Sequence, residues 1–279
     1  MYRIIRKEIL NPTVTLMEID APLVAKKAQP GQFIILRVDE EGERIPLTVA
    51  DYDREKGTVT IIFQVVGGTT ELLNHKNEGD SIRDFVGPLG RPTVTTAKKV
   101  AIVGGGVGCA IAYPVAKKFH QQGSVVHSVV GFRSRDLVIL EREFAAASDR
   151  LVLMTDDGSY GKKGLVTDAL KELIEGGEAY GEVIAIGPLV MMKFVCKLTK
   201  EYGIRTMVSM NPIMIDGTGM CGCCRLTVGG EVKFACVDGP DFDGHLVDFD
   251  ETMQRAGMYR EFEQKERERV CNLFKKEVE

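Results

Sequence analysis

Near residue 97 the apolar pattern changes from short branched runs separated by turns to apolar strands separated by helices. No single simple core accommodates both patterns. Before the change, runs 32–38 and 58–66 are rich in β-branched residues. Asn11-Pro12, Pro30-Gly31 and Lys56-Gly57 punctuate this region as turns. Only residues 69–75 read as helix there, so residues 1–96 are expected to form a small antiparallel β-barrel. The polar, Pro92-containing stretch 90–97 reads as a linker. Beyond it, runs 99–103, 125–130, 151–154, 183–186 and 206–209 predict strands. The helical stretches between them are expected near 107–120, 164–175 and 188–201. That alternation predicts a doubly wound parallel sheet over 97–210.

From residue 211 the alternation stops. Residues 211–240 hold glycines, cysteines and turns and look too irregular for a sheet layer. Residues 241–279 begin acidic and end in a charged stretch. There Glu261/Lys265 and Glu263/Arg267 at i,i+4 support a helix with a thin apolar stripe of Phe262, Val270, Phe274 and Val278. The 211–279 region is therefore read as a small third module with a helical tail.

Length and charge narrow the function class. A chain of 279 residues buries enough surface to need no disulfide staple. Its 36 Lys and Arg against 40 Asp and Glu give a net charge of −4, which excludes a strongly basic nucleic-acid binder. No apolar run approaches the ~18–20 residues of a membrane span. The charges within Met1-Tyr-Arg-Ile-Ile-Arg-Lys7 do not fit a signal peptide, so a cytoplasmic protein with reduced cysteines is expected.

Four of the seven cysteines fall between 221 and 236. The run is Asp216-x4-Cys221-x2-Cys224-x11-Cys236, the plant-type [2Fe–2S] spacing with Asp216 in the first ligand position. Gly217, Gly219 and Gly222 suit a loop that wraps tightly and aims backbone N–H groups at sulfurs. A structural zinc held by Cys221, Cys223 or Cys224, and Cys236 is the competing reading, and it predicts a colourless protein.

Two nucleotide signals precede the cysteines. In the barrel, Arg44-Ile45-Pro46-Leu47-Thr48 offers a guanidinium for a pyrophosphate, a fixed chain direction and a hydroxyl for a flavin nitrogen. Gln64-Val65-Val66-Gly67-Gly68-Thr69-Thr70 runs from a strand into a helix start, a ready anion site that is also what a simple Thr cap looks like. In the second region, Gly104-Gly105-Gly106-Val107-Gly108 lies between a strand and a helix. Asp157-Gly158 and Gly187-Pro188 end two further strands. Three glycine-bearing strand ends favour one nucleotide crevice, although the spacing is not that of the standard dinucleotide fingerprint. Arg133 and Arg135, taken alone, suit a 2′-phosphate as well as an ordinary surface.

These motifs in this order resemble the ferredoxin–NADP reductase superfamily. Within it the chain is similar to the branch holding the electron-transfer subunit of dihydroorotate dehydrogenase and the small subunit of NADH-dependent ferredoxin–NADP oxidoreductase. The resemblance rests on Arg44–Thr48, Val66–Thr70, Gly87-Pro-Leu-Gly90, Gly104–Gly108, Asp156-Asp-Gly-Ser159, Gly187–Met192 and the cysteine loop. Asp216 points to the second relative, because the first resembles an all-cysteine site.

The resemblance implies FAD in the barrel, NAD(H) in the parallel-sheet region, and a [2Fe–2S] cluster on Asp216, Cys221, Cys224 and Cys236. It implies that Thr48 tunes the flavin and that Arg44 and Thr70 hold phosphate. It further implies a large partner subunit with its own FAD and [4Fe–4S] clusters, similar to the small subunit of glutamate synthase. Ferredoxin and NADP(H) would react there in electron bifurcation. A dihydroorotate dehydrogenase subunit and a sulfide or polysulfide reductase subunit are the alternatives in the same class.

Overall fold

The computed structural model describes residues 1–276. The first region is built from β1 (Tyr2–Asn11), β2 (Val14–Asp20), the short helix α1 (Pro22–Ala25), β3 (Phe33–Arg37), β4 (Ile45–Asp53), β5 (Thr58–Gln64), α2 (Gly68–His75), β6 (Ser81–Ile82) and β7 (Asp84–Leu89). The strands form one antiparallel sheet in the order β6-β1-β2-β5-β4-β3-β7. Its two end strands are separated in sequence only by Arg83, so the sheet curls into a nearly closed barrel. Alternate residues point inward. Ile4, Met17, Ile19, Ile34, Leu36, Ile61 and Phe63 fill the interior, and Leu73 of α2 plugs into the same cluster. Burying that leucine contributes about 2 kcal/mol to seating α2. Helix α1 was not expected. Four residues opening on Pro22 carry too little periodicity to register as a helix.

The second region comprises β8 (Lys99–Gly105), α3 (Cys109–Gln121), β9 (Val125–Phe132), α4 (Glu141–Ala146), β10 (Arg150–Thr155), β11 (Lys162–Lys163), α5 (Val166–Glu175), β12 (Glu182–Ile186), α6 (Leu189–Glu201) and β13 (Thr206–Ser209). Val100 and Ile102 of β8 join a core with α3 and α4, whereas Ala101 and Val103 join a core with α5 and α6. Both faces of each central strand are buried, which is why these strands read as unbroken apolar runs.

The third region adds β14 (Arg225–Val228), β15 (Glu231–Phe234), β16 (Asp241–Asp243), α7 (Phe249–Ala256) and α8 (Arg260–Lys276). β14 and β15 form a two-stranded hairpin inside the stretch that looked too irregular for a sheet. β16 pairs antiparallel with β13, giving the order β11-β10-β9-β8-β12-β13-β16. The sheet thus takes its last strand from beyond residue 210. Cys224, Leu226, Ala235, Cys236, Phe242 and Phe249 pack in the same core as Phe33 and Ile35 of the barrel and Val208 of β13. The cysteine loop is anchored to both neighbouring regions through that core.

Helix α8 returns to the barrel and packs across α2. A Cβ built on Gly68 would stand 3.3 Å from Val270 Cγ2, and Val270 is fully buried. Phe262, expected on the same stripe, is 70% exposed, so the buried seam is narrower than the sequence pattern implied. The Phe274 side chain and Val278 lie outside the described residues. Among the described residues no helix is long and apolar enough to cross a membrane.

Candidate functional site

Strand order fixes where a nucleotide can sit. The chain runs outward from β8 through β9 and β10, then jumps back to β12 on the other side of β8. The reversal opens a crevice at the carboxyl ends of β8 and β12. Gly104–Gly108 and Gly187-Pro188 meet there. A Cβ on Gly108 would lie 2.6 Å from Gly187 Cα and 2.6 Å from the Ile186 carbonyl oxygen, and one on Gly105 would strike Met191 Sδ at 2.4 Å. At Gly108 two main chains pass in contact and only glycine fits, whereas at Gly105 the obstacle is the Met191 side chain.

A cleft of 660 Å³ opens from this crevice. Gly105, Gly106, Val107, Gly108, Gly187 and Pro188 line it from the parallel sheet, and Gln64, Thr13 and Asn11 line it from the barrel. One cavity therefore joins residues expected at NAD(H) with a residue expected at FAD. Arg133, Asp156 and Met191, each within a stretch noted in the sequence, also line it, together with Phe194, which no sequence motif singles out. Of the paired acids, the structure places Asp156 on the cleft. Asp157 instead turns its carboxylate back onto Ser159, accepting from both the Ser159 hydroxyl (2.6 Å) and N–H (2.9 Å). The hydroxyl bond in particular holds its pKa below the usual carboxylate range. Gly158 sits in that turn at φ +76°. Arg135 stacks over Tyr160, 5.4 Å from the ring centroid.

At the barrel edge, Pro46, Leu47 and Thr48 lie in β4, with Pro46 opposite Ile35 and Thr48 opposite Phe33. The expected phosphate role of Thr70 meets a difficulty. Its hydroxyl accepts from the N–H groups of Val66 and Gly67, both at 3.0 Å, and donates to the Gly67 carbonyl at 2.9 Å. One donor and two lone pairs are then spent on the turn. The N–H groups of Gly68, Thr69 and Thr70 precede the first intrahelical bond, with Gly68 and Thr69 buried at this helix start. Thr69 donates to Glu43 at 3.2 Å. Arg44 reaches away from the barrel, and its Nε donates to the carbonyl of Ile215 at 2.7 Å.

That carbonyl belongs to the cysteine loop. Gly217, Gly219 and Gly222 all take positive φ (83°, 86° and 69°), the conformation that lets so short a loop curl around its sulfurs. The Cys221 thiol accepts N–H groups from Cys223, Asp216 and Ile215. These bonds, the first above all, lower its pKa. Cys236 accepts from the Gly219 N–H, yet burial dominates there and pushes it up to about 12. Asp216 uses one oxygen, Oδ2, to hold the loop. It accepts from Thr218 Oγ1 at 2.5 Å, Thr218 N–H at 3.0 Å and Met220 N–H at 3.2 Å, and the Thr218 hydroxyl leads in depressing its pKa.

These residues fit a binuclear iron–sulfur cluster. Cys224 and Cys236 are free thiols with Sγ atoms 3.3 Å apart. Two thiolates on one tetrahedral metal stand roughly 3.8 Å apart for bonds of ~2.3 Å. Asp216 and Cys221, on the outer part of the same loop, are the candidates for a second pair. Among the described residues no three His, Cys, Asp or Glu side chains converge as they would on a single ion. A two-iron cluster asks for two protein donors per iron. Cys223 lies outside this pattern, and its thiol is raised chiefly by burial.

Comparisons with known proteins agree with this geometry. Residues 211–248 match the family model of the iron–sulfur cluster binding domain of dihydroorotate dehydrogenase B. The chain is 48% identical over 264 residues to the dihydroorotate dehydrogenase B (NAD(+)) electron transfer subunit homolog of Thermotoga maritima, covering 94% of this chain and 93% of that protein. It is 33% identical over 234 residues to the electron transfer subunit from Fusobacterium nucleatum, covering 80% and 88%. Among solved structures, a chain of the NADH-dependent reduced ferredoxin–NADP oxidoreductase, studied for flavin-based electron bifurcation, aligns with a TM-score of 0.92 at 45% identity, covering 97% and 98%. A cytochrome P450 reductase from Amycolatopsis shares the fold alone, at 21% identity and a TM-score of 0.61. The chain therefore belongs to the family of dihydroorotate dehydrogenase B electron-transfer subunits and their homologues, within the ferredoxin-reductase-like fold.

Proposed function

We propose that this chain is the small, electron-transferring subunit of an electron-bifurcating, NADH-dependent reduced ferredoxin–NADP oxidoreductase. At the coarser level it is an NAD(P)-dependent flavin/iron–sulfur oxidoreductase subunit that binds FAD, a [2Fe–2S] cluster and NAD(H). The observation carrying the finer reading is the donor set of the cysteine loop. Three thiols and one carboxylate share it, and Asp216 keeps Oδ1 free of the contacts that Oδ2 makes to shape the loop. The 45% identity to a chain of that oxidoreductase supports it.

Residues are assigned as follows. Asp216, Cys221, Cys224 and Cys236 hold the cluster. Arg44, Pro46, Leu47, Thr48, Gln64 and the 65–70 turn hold FAD, with Thr48 supplying the hydroxyl at the flavin ring. Gly104–Gly108, Gly187, Pro188 and the 156–158 turn shape the NAD(H) crevice. Bound FAD supplies the change between hydride exchange with nicotinamide and single-electron exchange with the cluster. The protein's own work is to fix distance and orientation: the shared cleft would hold nicotinamide and flavin together, with Met191 and Phe194 supplying apolar lining.

The partner in this reading is a large subunit with a second FAD and [4Fe–4S] clusters, where ferredoxin and NADP(H) react. The compartment is the cytoplasm. The match of residues 211–248 favours one second reading, the electron-transfer subunit of an NAD-dependent dihydroorotate dehydrogenase. Anaerobically purified protein should contain two irons, labile sulfide and FAD, and NADH should bleach the flavin. With its cognate partner, the complex should couple NADPH oxidation to reduction of NAD and ferredoxin. Orotate-linked activity without that coupling would move the assignment to the second reading.

A further inference from the structure

Arg44 stands where the barrel edge meets the cysteine loop, 171 residues from its bonding partner in sequence. The guanidinium presents two edges. Nε is committed to the Ile215 carbonyl at 2.7 Å, and the next residue in the chain is Asp216. Nη1 is 4.0 Å from Asp84 Oδ2, but that oxygen is already taken by Arg37 Nε at 2.6 Å. Asp84 therefore neutralises little of the charge on Arg44, which acts instead on the nearby Asp216 carboxylate and on any anion at its outer edge. The side chain is one-third exposed, so its outer edge is open to a ligand. The carbonyl it holds immediately precedes Asp216, whose Oδ2 accepts from the Thr218 hydroxyl, the Thr218 N–H and the Met220 N–H and so shapes the loop that leads to Cys221.

We infer that Arg44 serves both cofactor sites at once: Nε pins the Ile215 carbonyl and so sets Asp216 and Cys221 for the cluster, while the Nη edge meets the FAD pyrophosphate. This rests on the proposed cofactor assignment and adds a physical link between its two halves. Arginine suits the task because its five donors lie in a rigid plane, so one side chain can serve a carbonyl and a phosphate without rotating between them. Since one group contacts both sites, occupancy of either stabilises the geometry the other needs, and the coupling is reciprocal. Arg44 is a positioning residue with respect to the cluster. A second tie between barrel edge and loop runs through Arg91, whose Nε donates to the Val237 carbonyl at 3.0 Å, so the loop keeps its attachment when Arg44 is changed.

The test uses the full chain, reconstituted with cluster, as wild type, Arg44→Lys and Arg44→Gln, each FAD-loaded and FAD-free. Cluster loss to an iron chelator is followed by visible absorbance, and the reduced cluster by electron paramagnetic resonance. Without FAD, Arg44→Gln should lose its cluster about tenfold faster than wild type, the loss expected for one charge-assisted hydrogen bond. Its g-values should shift, and Arg44→Lys should fall between. Adding FAD should slow loss in wild type and leave Arg44→Gln unaffected even at saturation. Identical loss rates and spectra for FAD-free wild type and Arg44→Gln overturn the inference. So does a full return of Arg44→Gln to the wild-type rate at saturating FAD, which would make the flavin alone responsible. A wild type that never takes up iron or flavin instead overturns the cofactor assignment itself, a result visible before any variant is compared.

Discussion

The Sγ of Cys224 lies 3.3 Å from the Sγ of Cys236, although a hairpin separates them in sequence and neither is in a disulfide. Both are buried, with β14 and β15 holding them side by side, whereas Cys221 is exposed at the loop surface. The loop thus offers one sheltered sulfur pair, while Cys221 and Asp216 lie nearer the surface. In the proposed ligand set, that asymmetry would put the weaker carboxylate donor on the solvent side.

Replacing Asp216 with cysteine should lower the cluster midpoint potential, because thiolate donates more charge to iron than carboxylate does. Spectroelectrochemistry of the reconstituted chain measures this. An unchanged or higher potential in Asp216→Cys would rule out Asp216 as a ligand.

Gly108 is the contact point of the nucleotide crevice. At 2.6 Å from Gly187 Cα, a side chain has backbone rather than a flexible neighbour in its way. Gly108→Val should cost about 1–3 kcal/mol of stability in urea titrations. It should also weaken NADH binding by about tenfold or more, as ~1.4 kcal/mol of misplaced binding energy would do. Gly106, at φ +54° with open space around it, is the control. Gly106→Ala should cost only its left-handed backbone strain, about 1–2 kcal/mol. Equal effects of the two substitutions on NADH affinity would contradict this picture.

Asp241 should make stability depend on pH in an unusual direction. The residue is half-buried between linker and sheet with its carboxyl turned inward, accepts from the Thr93 hydroxyl at 2.5 Å, and has no partner for the buried Oδ1 among the described residues. Burial raises its pKa to about 6. The folded state then binds a proton that the unfolded state gives up between roughly pH 4 and pH 6. Its contribution is fully present below about pH 4 and is lost as pH rises through about 6. Asp241→Asn should therefore raise the thermal midpoint at pH 8 and lose that advantage by pH 4.5. A gain of the same size at both values would refute the assignment.

Helix α8 is fastened to the flavin-side helix α2 by Val270, and a charge there should release it. Val270→Asp buries an unpaired carboxylate against Gly68, which costs more than a helix with so narrow a seam can offset. Hydrogen exchange should accelerate along α8 and at the start of α2, with the cores of both sheets unchanged. Retained protection across α8 would show that the contact with Gly68 does not hold it.

The sequence by itself determined the two sheet architectures and the ligand class of the cysteine loop. Both are written in local periodicity and spacing: branched runs between turns for the barrel, unbroken apolar runs such as 99–103 for strands buried on both faces, and a C-x2-C step flanked by glycines. It could not show that β16 completes the parallel sheet, because three residues carry no period of their own and gain their place only by pairing with β13. Only the tertiary structure separated Asp156, on the cleft, from Asp157, folded onto Ser159. Alternate pointing at a strand end depends on the turn that follows it. Tertiary structure alone also spent the Thr70 hydroxyl on its own loop and carried Arg44 across to Ile215. Contacts between residues 171 apart arise from how the regions pack, and no local pattern encodes them.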